Sequence, residues 1–367
     1  MPRFRLTPWT VVWLLLMIPG VYAVWLRYTQ GLGAVTNLSD NFPWGLWIGF
    51  DVLCGVGLAA GGFTLVAAVH ILNLERYRPI LRPAILTAFL GYLLVIAALL
   101  LDLGQPHRIW HALVMLNPRS VMFEVAWCVM LYTTVLALEF APALFEKLGW
   151  RAPLGFLRII SVPLVIACVI LSTLHQSSLG SLYLIVPHKL HPLWYSPMLP
   201  LFFFVSAVAV GLAMTIFESW HSSRAFGRAL ELPLLGGMAR LLAVLLSVYL
   251  VMRGADIVRR GALPQVFAGT VEAWLFLLEF GLMLAAALLL FREDIRRQPA
   301  ALYGCALMAI LGFVANRLNV SVTGMEVASG VHYLPKWSEI SVTLAIIACG
   351  FAVFRAIARR LPVFSSA

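Results

Sequence analysis

Charge is what this chain has least of. Only 11% of its 367 residues are Asp, Glu, Lys or Arg, against about 25% in an ordinary soluble domain. With 62% hydrophobic residues spread along the whole length, the chain has too little polar surface for a water-soluble fold. Cysteine is also scarce and scattered. Cys54, Cys128, Cys168, Cys305 and Cys349 each stand alone in an apolar run, with no CxxC. That excludes a self-supplied iron–sulfur cluster or structural zinc, and leaves each cysteine as a small apolar packing residue. A cleaved leader is not expected either. Val11 to Leu26 is long for a signal-peptide core, no small-x-small site leads into a soluble domain, and further apolar runs follow, so it reads as a retained helix.

What the chain does have is apolar segments of membrane-crossing length, about 20 residues each. Ten qualify: 9–28, 45–73, 84–104, 119–140, 156–178, 198–219, 234–253, 266–291, 300–317 and 338–357. The expected fold is therefore an all-α polytopic membrane protein with both termini on one side. Its net charge of +10 could suggest nucleic acid, but the distribution points elsewhere. Seventeen of the 26 basic residues, from Arg3 and Arg5 to Arg359 and Arg360, fall on the side of the termini. The positive-inside rule puts that side in the cytoplasm, and no nucleic-acid partner is needed. The opposite connections (29–44, 105–118, 179–197, 254–265 and 318–337) are rich in Trp, Tyr, His, Pro and Gly, and face outward in this reading.

Ionisable groups inside spans are costly unless paired or hydrated, so each is a functional candidate. Asp51 lies two turns into the second span, Asp102 and Glu124 flank the outer connection at 105–118 between the third and fourth spans, and Glu279 falls near the middle of the eighth. Glu124, Cys128, Tyr132 and Glu139 occur at i, i+4, i+8 and i+15, one face of a helix. Glu124 and Glu139 are then about 22 Å apart in depth, which suits a proton path as well as simple packing. "LHQSSLGSL", which ends the fifth span, offers uncharged donors and acceptors suited to the oxygen of a neutral ligand. Trp44 belongs by the plain reading to an interfacial aromatic belt. The histidines 107, 111, 175, 188 and 191 all map outward, so no pairs at two depths exist for haem, and no carboxylate or thiolate set accompanies them for a metal.

Three stretches carry a family resemblance: "NFPWGLWIGFDVLCGVGLAAGGF", "SVMFEVAWCVMLYTTVLALEFAPALFEKLGW" and "TLHQSSLGSLYLIVPHKLHPLWYSPMLP", with "DLGQPHRIWHAL" as a weaker fourth. They resemble the NrfD and polysulfide-reductase-type quinone-interacting membrane subunits, especially the HybB type of periplasm-facing nickel–iron hydrogenases. The resemblance implies two four-helix bundles with flanking helices. In chain terms these are an N-terminal helix (1–30), a first bundle (31–180), a second bundle (181–320), and an outer loop with a C-terminal helix (321–367). It implies a quinone, menaquinone or ubiquinone, as substrate, with no haem or iron–sulfur cluster in the chain itself. It also implies a periplasmic ferredoxin-like subunit and the small and large hydrogenase subunits as partners, in the lipid of a bacterial inner membrane.

The family's ionisable positions fall here on Arg82, Tyr92, Asp102, Glu124 and Glu218. The resulting expectation is that His175, Gln176 and Ser178 hold a quinone carbonyl, with Asp51, Asp102, His111 and Trp44 nearby. Glu124 is the expected final proton donor, with Arg82, Glu139 and Glu218 at the cytoplasmic end and Glu279 as a further acid–base candidate. Other readings are the same module serving a molybdenum enzyme or multihaem cytochrome, a pure membrane anchor, or a secondary transporter. Transporters more often show broken helices at mid-membrane.

Overall fold

The computed structural model describes residues 8–364, so Arg3 and Arg5 lie outside the described residues. Among the described residues, ten helices are long and apolar enough to cross a membrane. They are α1 (Pro8–Gln30), α2 (Trp47–Ile71), α3 (Glu75–Asp102), α4 (Val121–Leu148), α5 (Ser161–Leu184), α6 (Leu199–Phe226), α7 (Leu232–Arg259), α8 (Val271–Phe291), α9 (Pro299–Ser329) and α10 (Trp337–Arg360). No strand occurs among the described residues beyond a single bridge between Ser39 and Phe42. The chain is an all-α polytopic membrane protein.

Helix ends follow local chemistry. Ser120 Oγ and Thr270 Oγ1 accept from Phe123 N and Ala273 N and so cap the starts of α4 and α8. Gly149 and Gly227, at φ 70° and 66°, close α4 and α6 in the left-handed conformation that favours glycine. Two helices run further than the polarity of their ends suggests. α5 passes through Ser172 to Ser181 because its hydroxyls bond within the helix: Thr173 to Val169 O, Ser177 to Thr173 O and Ser178 to Leu174 O. Residues 151–159 form a separate short helix, which delays the start of α5 to Ser161. α9 likewise continues past Arg317 through a π-helical turn at Asn319–Thr323, because its polar side chains find partners inside the protein.

α2 to α5 pack in a closed group, and α6 to α9 in a second, while α1 and α10 pair with each other alongside α3. The two groups meet where α2 crosses α6. There a Cβ on Gly61 would lie 2.9 Å from Gly211 O, and a Cβ on Gly211 would lie 2.7 Å from Gly61 N. Only glycine at both places permits that backbone contact, the close approach that small residues allow in membranes. The start of α2, Trp47–Cys54, is π-helical and rests against the π turn of α9. Gly211→Ala is therefore expected to cost about 1–3 kcal/mol through forced separation of the groups. A lower melting temperature in detergent checks it; an unchanged melt would mean the crossing is looser than drawn.

Candidate functional site

Three helices of the first group converge at the end of the molecule that carries fewer arginines. Glu124 starts α4, and its Oε1 accepts from Ser178 Oγ of α5 at 2.5 Å. One turn deeper on the same face of α5 is His175, fully buried, whose Nδ1 is 3.0 Å from Tyr92 OH of α3. His175 Nε2 has no hydrogen-bond partner. The Tyr92 ring meets Tyr132 of α4 edge-on at 4.7 Å, and the buried Tyr132 hydroxyl faces Ser172 and Cys168 of α5. Gln176 turns the other way and donates to Val56 O of α2 at 3.1 Å. The α4 face read from the sequence thus becomes one wall of a polar column from Glu124 past Tyr132. Its Glu139 end lines a groove with Glu146, Arg158 and Ser161.

Asp51 and Asp102 belong to a second assembly, beside α1 and α10. Thr343 Oγ1 of α10 donates to Asp51 Oδ2 at 2.7 Å. Arg27 of α1 donates to Leu101 O and Leu103 O, both at 2.6 Å, at the end of α3 where Asp102 sits with Oδ1 buried and unpartnered. Glu339 completes this end, accepting from Asn37 N, Lys336 N and the Tyr333 hydroxyl. Tyr333, outside the spans, has its phenol pushed well up, first by burial and then by Glu339. The expected neighbours of His175 are therefore divided between two assemblies.

The remaining candidates are scattered. Trp44 packs edge-on against Tyr183, just past the His175 turn, at 5.8 Å. His111 meets Trp110 edge-on in the 3-10 turn at Pro106–Leu113, and Trp127 Nε1 donates to the neighbouring Ala112 O at 2.8 Å. At the arginine-rich end, Arg82 pairs with Glu146 at 2.6 Å and donates to Pro362 O. Glu218 accepts from Ser222 at 2.5 Å beside a small cavity lined by Thr87 and Thr215. Glu279 lies in the second helix group, apart from all of these.

Comparison with known proteins places this arrangement. The family model described as "Polysulphide reductase, NrfD" matches residues 34–328, from just before α2 to the end of α9. The chain belongs to the NrfD family. Three relatives align over nearly all of it. A protein of Nitratidesulfovibrio vulgaris strain Hildenborough is 38% identical over 98% of this chain and 95% of its own length. The "Probable Ni/Fe-hydrogenase 2 b-type cytochrome subunit" of Escherichia coli K12 is 36% identical over 92% and 87%. The "Menaquinone reductase, integral membrane subunit" of N. vulgaris is 30% identical over 94% and 88%. The second of these names implies a haem. In this NrfD chain His175 is the one buried histidine among the described residues, and its Nδ1 is engaged by Tyr92. The side chains present do not fit a bis-histidine haem.

Sequence reasoning passed over several members of these assemblies. Thr343 and Arg27 sit far from their partners in the chain, and nothing local marks them. Tyr132 and Ser172 carried a signal, since they share helix faces with Glu124 and His175. Tyr92→Phe is expected to leave His175 Nδ1 buried without a partner, at a cost of about 1–3 kcal/mol. The melting temperature of the purified NrfD subunit reads this; no change would show that the hydroxyl does not hold the imidazole.

Proposed function

We propose that this NrfD subunit delivers electrons from an iron–sulfur partner to a membrane quinone at the Glu124–Ser178–His175–Tyr92 group, as the membrane arm of a respiratory hydrogenase. The observation that carries the reading is the 2.5 Å contact between Glu124 and Ser178, directly above the buried His175–Tyr92 pair. Glu124 is exposed at the start of α4 while His175 is enclosed, so a ligand head group arriving from the lipid meets the carboxyl first. Reduction of a quinone to a quinol takes two electrons and two protons, one on each oxygen. Glu124 donates one proton at the rim, and Ser178 holds its carboxyl in place. Tyr92 and His175, joined through Nδ1, pass a proton from behind, and the unpartnered Nε2 is the atom that faces onward.

Replacement protons enter along the α4 face, through Glu139, Tyr132 and the hydroxyl of Ser172. The basic-residue count favours a cytoplasmic origin for them, in a bacterial inner membrane with both termini inside. Protons taken from that side while hydrogen is oxidised outside would make turnover electrogenic. The partners in this reading are a ferredoxin-like subunit and the small and large subunits of a nickel–iron hydrogenase, with lipid around the helices. The E. coli relative's name supports the hydrogenase. The menaquinone reductase relative supports the quinone, and also a second reading in which another redox enzyme feeds the same site. Gentle purification with identification of the companion subunits separates the two.

Glu124→Gln should lower hydrogen-dependent quinone reduction by about a hundredfold or more, the range of general-acid contributions. Hydrogen oxidation with a soluble dye should be unchanged, and normal quinone reduction would remove Glu124 from the mechanism. His175→Ala should weaken binding of a quinone-site inhibitor; unaltered binding returns His175 to a packing role.

A further inference from the structure

The connection between α5 and α6 is unusual in having a buried stretch, although Ile185, His188, Lys189 and Pro192 are exposed. Leu193, Trp194 and Ser196 have no exposed surface, although connecting segments normally run over the outside. A buried connection must have its backbone groups satisfied by the protein. Here guanidinium groups of α7 do so: Arg253 donates to Leu193 O at 2.8 Å and Arg260 to Pro192 O at 2.7 Å. Asp256, on the same helix, accepts from Ser196 Oγ at 2.8 Å and pairs with Arg260 at 2.8 Å. His191 N reaches Gly324 O of α9, and His191 Nδ1 accepts from Leu193 N at 3.2 Å. Burial holds that imidazole below its usual range, against the opposing pull of Glu272.

Glu279 of α8 supplies the remaining tie. Its two oxygens accept from Trp194 Nε1 at 3.2 and 3.3 Å, from Asn316 Nδ2 at 3.0 Å and from Asn319 Nδ2 at 2.8 Å. The amide orientations are determined by the other contacts. Asn316 Oδ1 accepts from Arg317, and Asn319 turns Oδ1 to the Thr323 hydroxyl, so both present NH2 to the carboxylate. Every partner of Glu279 is a donor. A protonated Glu279 would set its own O–H against one of them, which is the arrangement of a fixed acceptor and not of a group that takes up and releases protons.

The connection leads straight back to the reaction site. Ser196 Oγ also accepts from Met198 N at the start of α6. A Cβ on Gly180, two residues past Ser178, would lie 2.6 Å from Leu199 O and 2.8 Å from Pro200 Cα. The end of α5 is thus wedged against the first turn of α6, and a shift of one must move the other.

We infer that Glu279, Arg253, Asp256 and Arg260 form a fixed charge clamp that holds residues 190–196 and, through Gly180 against Leu199, positions the α5 turn bearing His175 and Ser178. Glu279 is a positioning residue that touches neither quinone nor its protons. The positional role rests on the proposed reaction site; the clamp itself does not.

The test uses the whole complex, with Trp194→Phe, Glu279→Gln and the double variant. Loss of one buried hydrogen bond to a charged group should speed amide hydrogen exchange in residues 187–196 about tenfold or more. The KM for a short-chain quinone should rise while the pH profile of kcat keeps its shape, and the double variant should be no worse than the worse single. If Trp194→Phe leaves exchange and KM unchanged while Glu279→Gln lowers kcat and reshapes its pH profile, Glu279 carries protons and the inference is overturned. Unchanged exchange in both singles overturns the clamp as well. Should Glu279→Gln fail to accumulate, Trp194→Phe decides alone. Exchange needs no quinone, so failure of the His175 site in its own assay remains distinguishable from failure of the clamp.

Discussion

A carboxylate or guanidinium inside a membrane protein persists only where other groups of the protein complete its hydrogen bonds, because no bulk water is at hand to do so. Much of what is distinctive in this structure follows from meeting that condition, with Asp102 Oδ1 and two nitrogens of Arg253 as exceptions. Glu279 is ringed by four donor contacts from one indole and two amides. Arg317 lies 3.6 Å from the Phe203 ring and donates to Phe203 O and Ser206. Both helix extensions, of α5 past Ser172 and of α9 past Arg317, exist because polar side chains that would otherwise end a span are satisfied within it.

The two helix groups meet this condition differently, and the difference suits different work. In the second group both oxygens of Glu279 are taken by donors, while Arg253 Nε and Nη1 nearby are buried without partners. In the first group the column is incomplete: His175 Nε2 is buried without a partner, and Glu124 stands at its open end. A carboxylate whose oxygens are all taken by donors has no reason to exchange protons, whereas an unpartnered imidazole nitrogen in line with a rim carboxyl does. α5 joins the two, since its polar face looks into the open column and its end abuts the first turn of α6, which follows the clamped connection. The Gly61–Gly211 crossing allows this economy of space by bringing α2 onto α6 at backbone contact.

Much of the fold was legible in the chain. Ten apolar segments became ten helices, because hydrocarbon imposes one length and one backbone solution on every span. The face carrying Glu124, Tyr132 and Glu139 was also legible, since helical periodicity acts within one segment. Span ends were less so. Polarity alone ended α5 at 178 and α9 at 317, while side-chain bonds such as Ser178 to Leu174 O carried both helices onward. The grouping of candidate residues was less legible still. Asp51 seemed a neighbour of His175, yet it is held by Thr343, 292 residues away in sequence.

By itself the sequence determined the membrane setting, the number of spans and the helix face from Glu124 to Glu139, all of which depend on composition and short-range spacing; the kinship with NrfD proteins rests on stretches of sequence that resemble that family. Only the tertiary structure decided which polar residues face one another. It put Tyr92 on His175, Ser178 on Glu124, Thr343 on Asp51 and Trp194 on Glu279. The reason is that partner choice in a helical membrane protein depends on how separate helices are rotated and crossed. That is fixed by long-range contacts such as Gly61 on Gly211, and no local pattern encodes it.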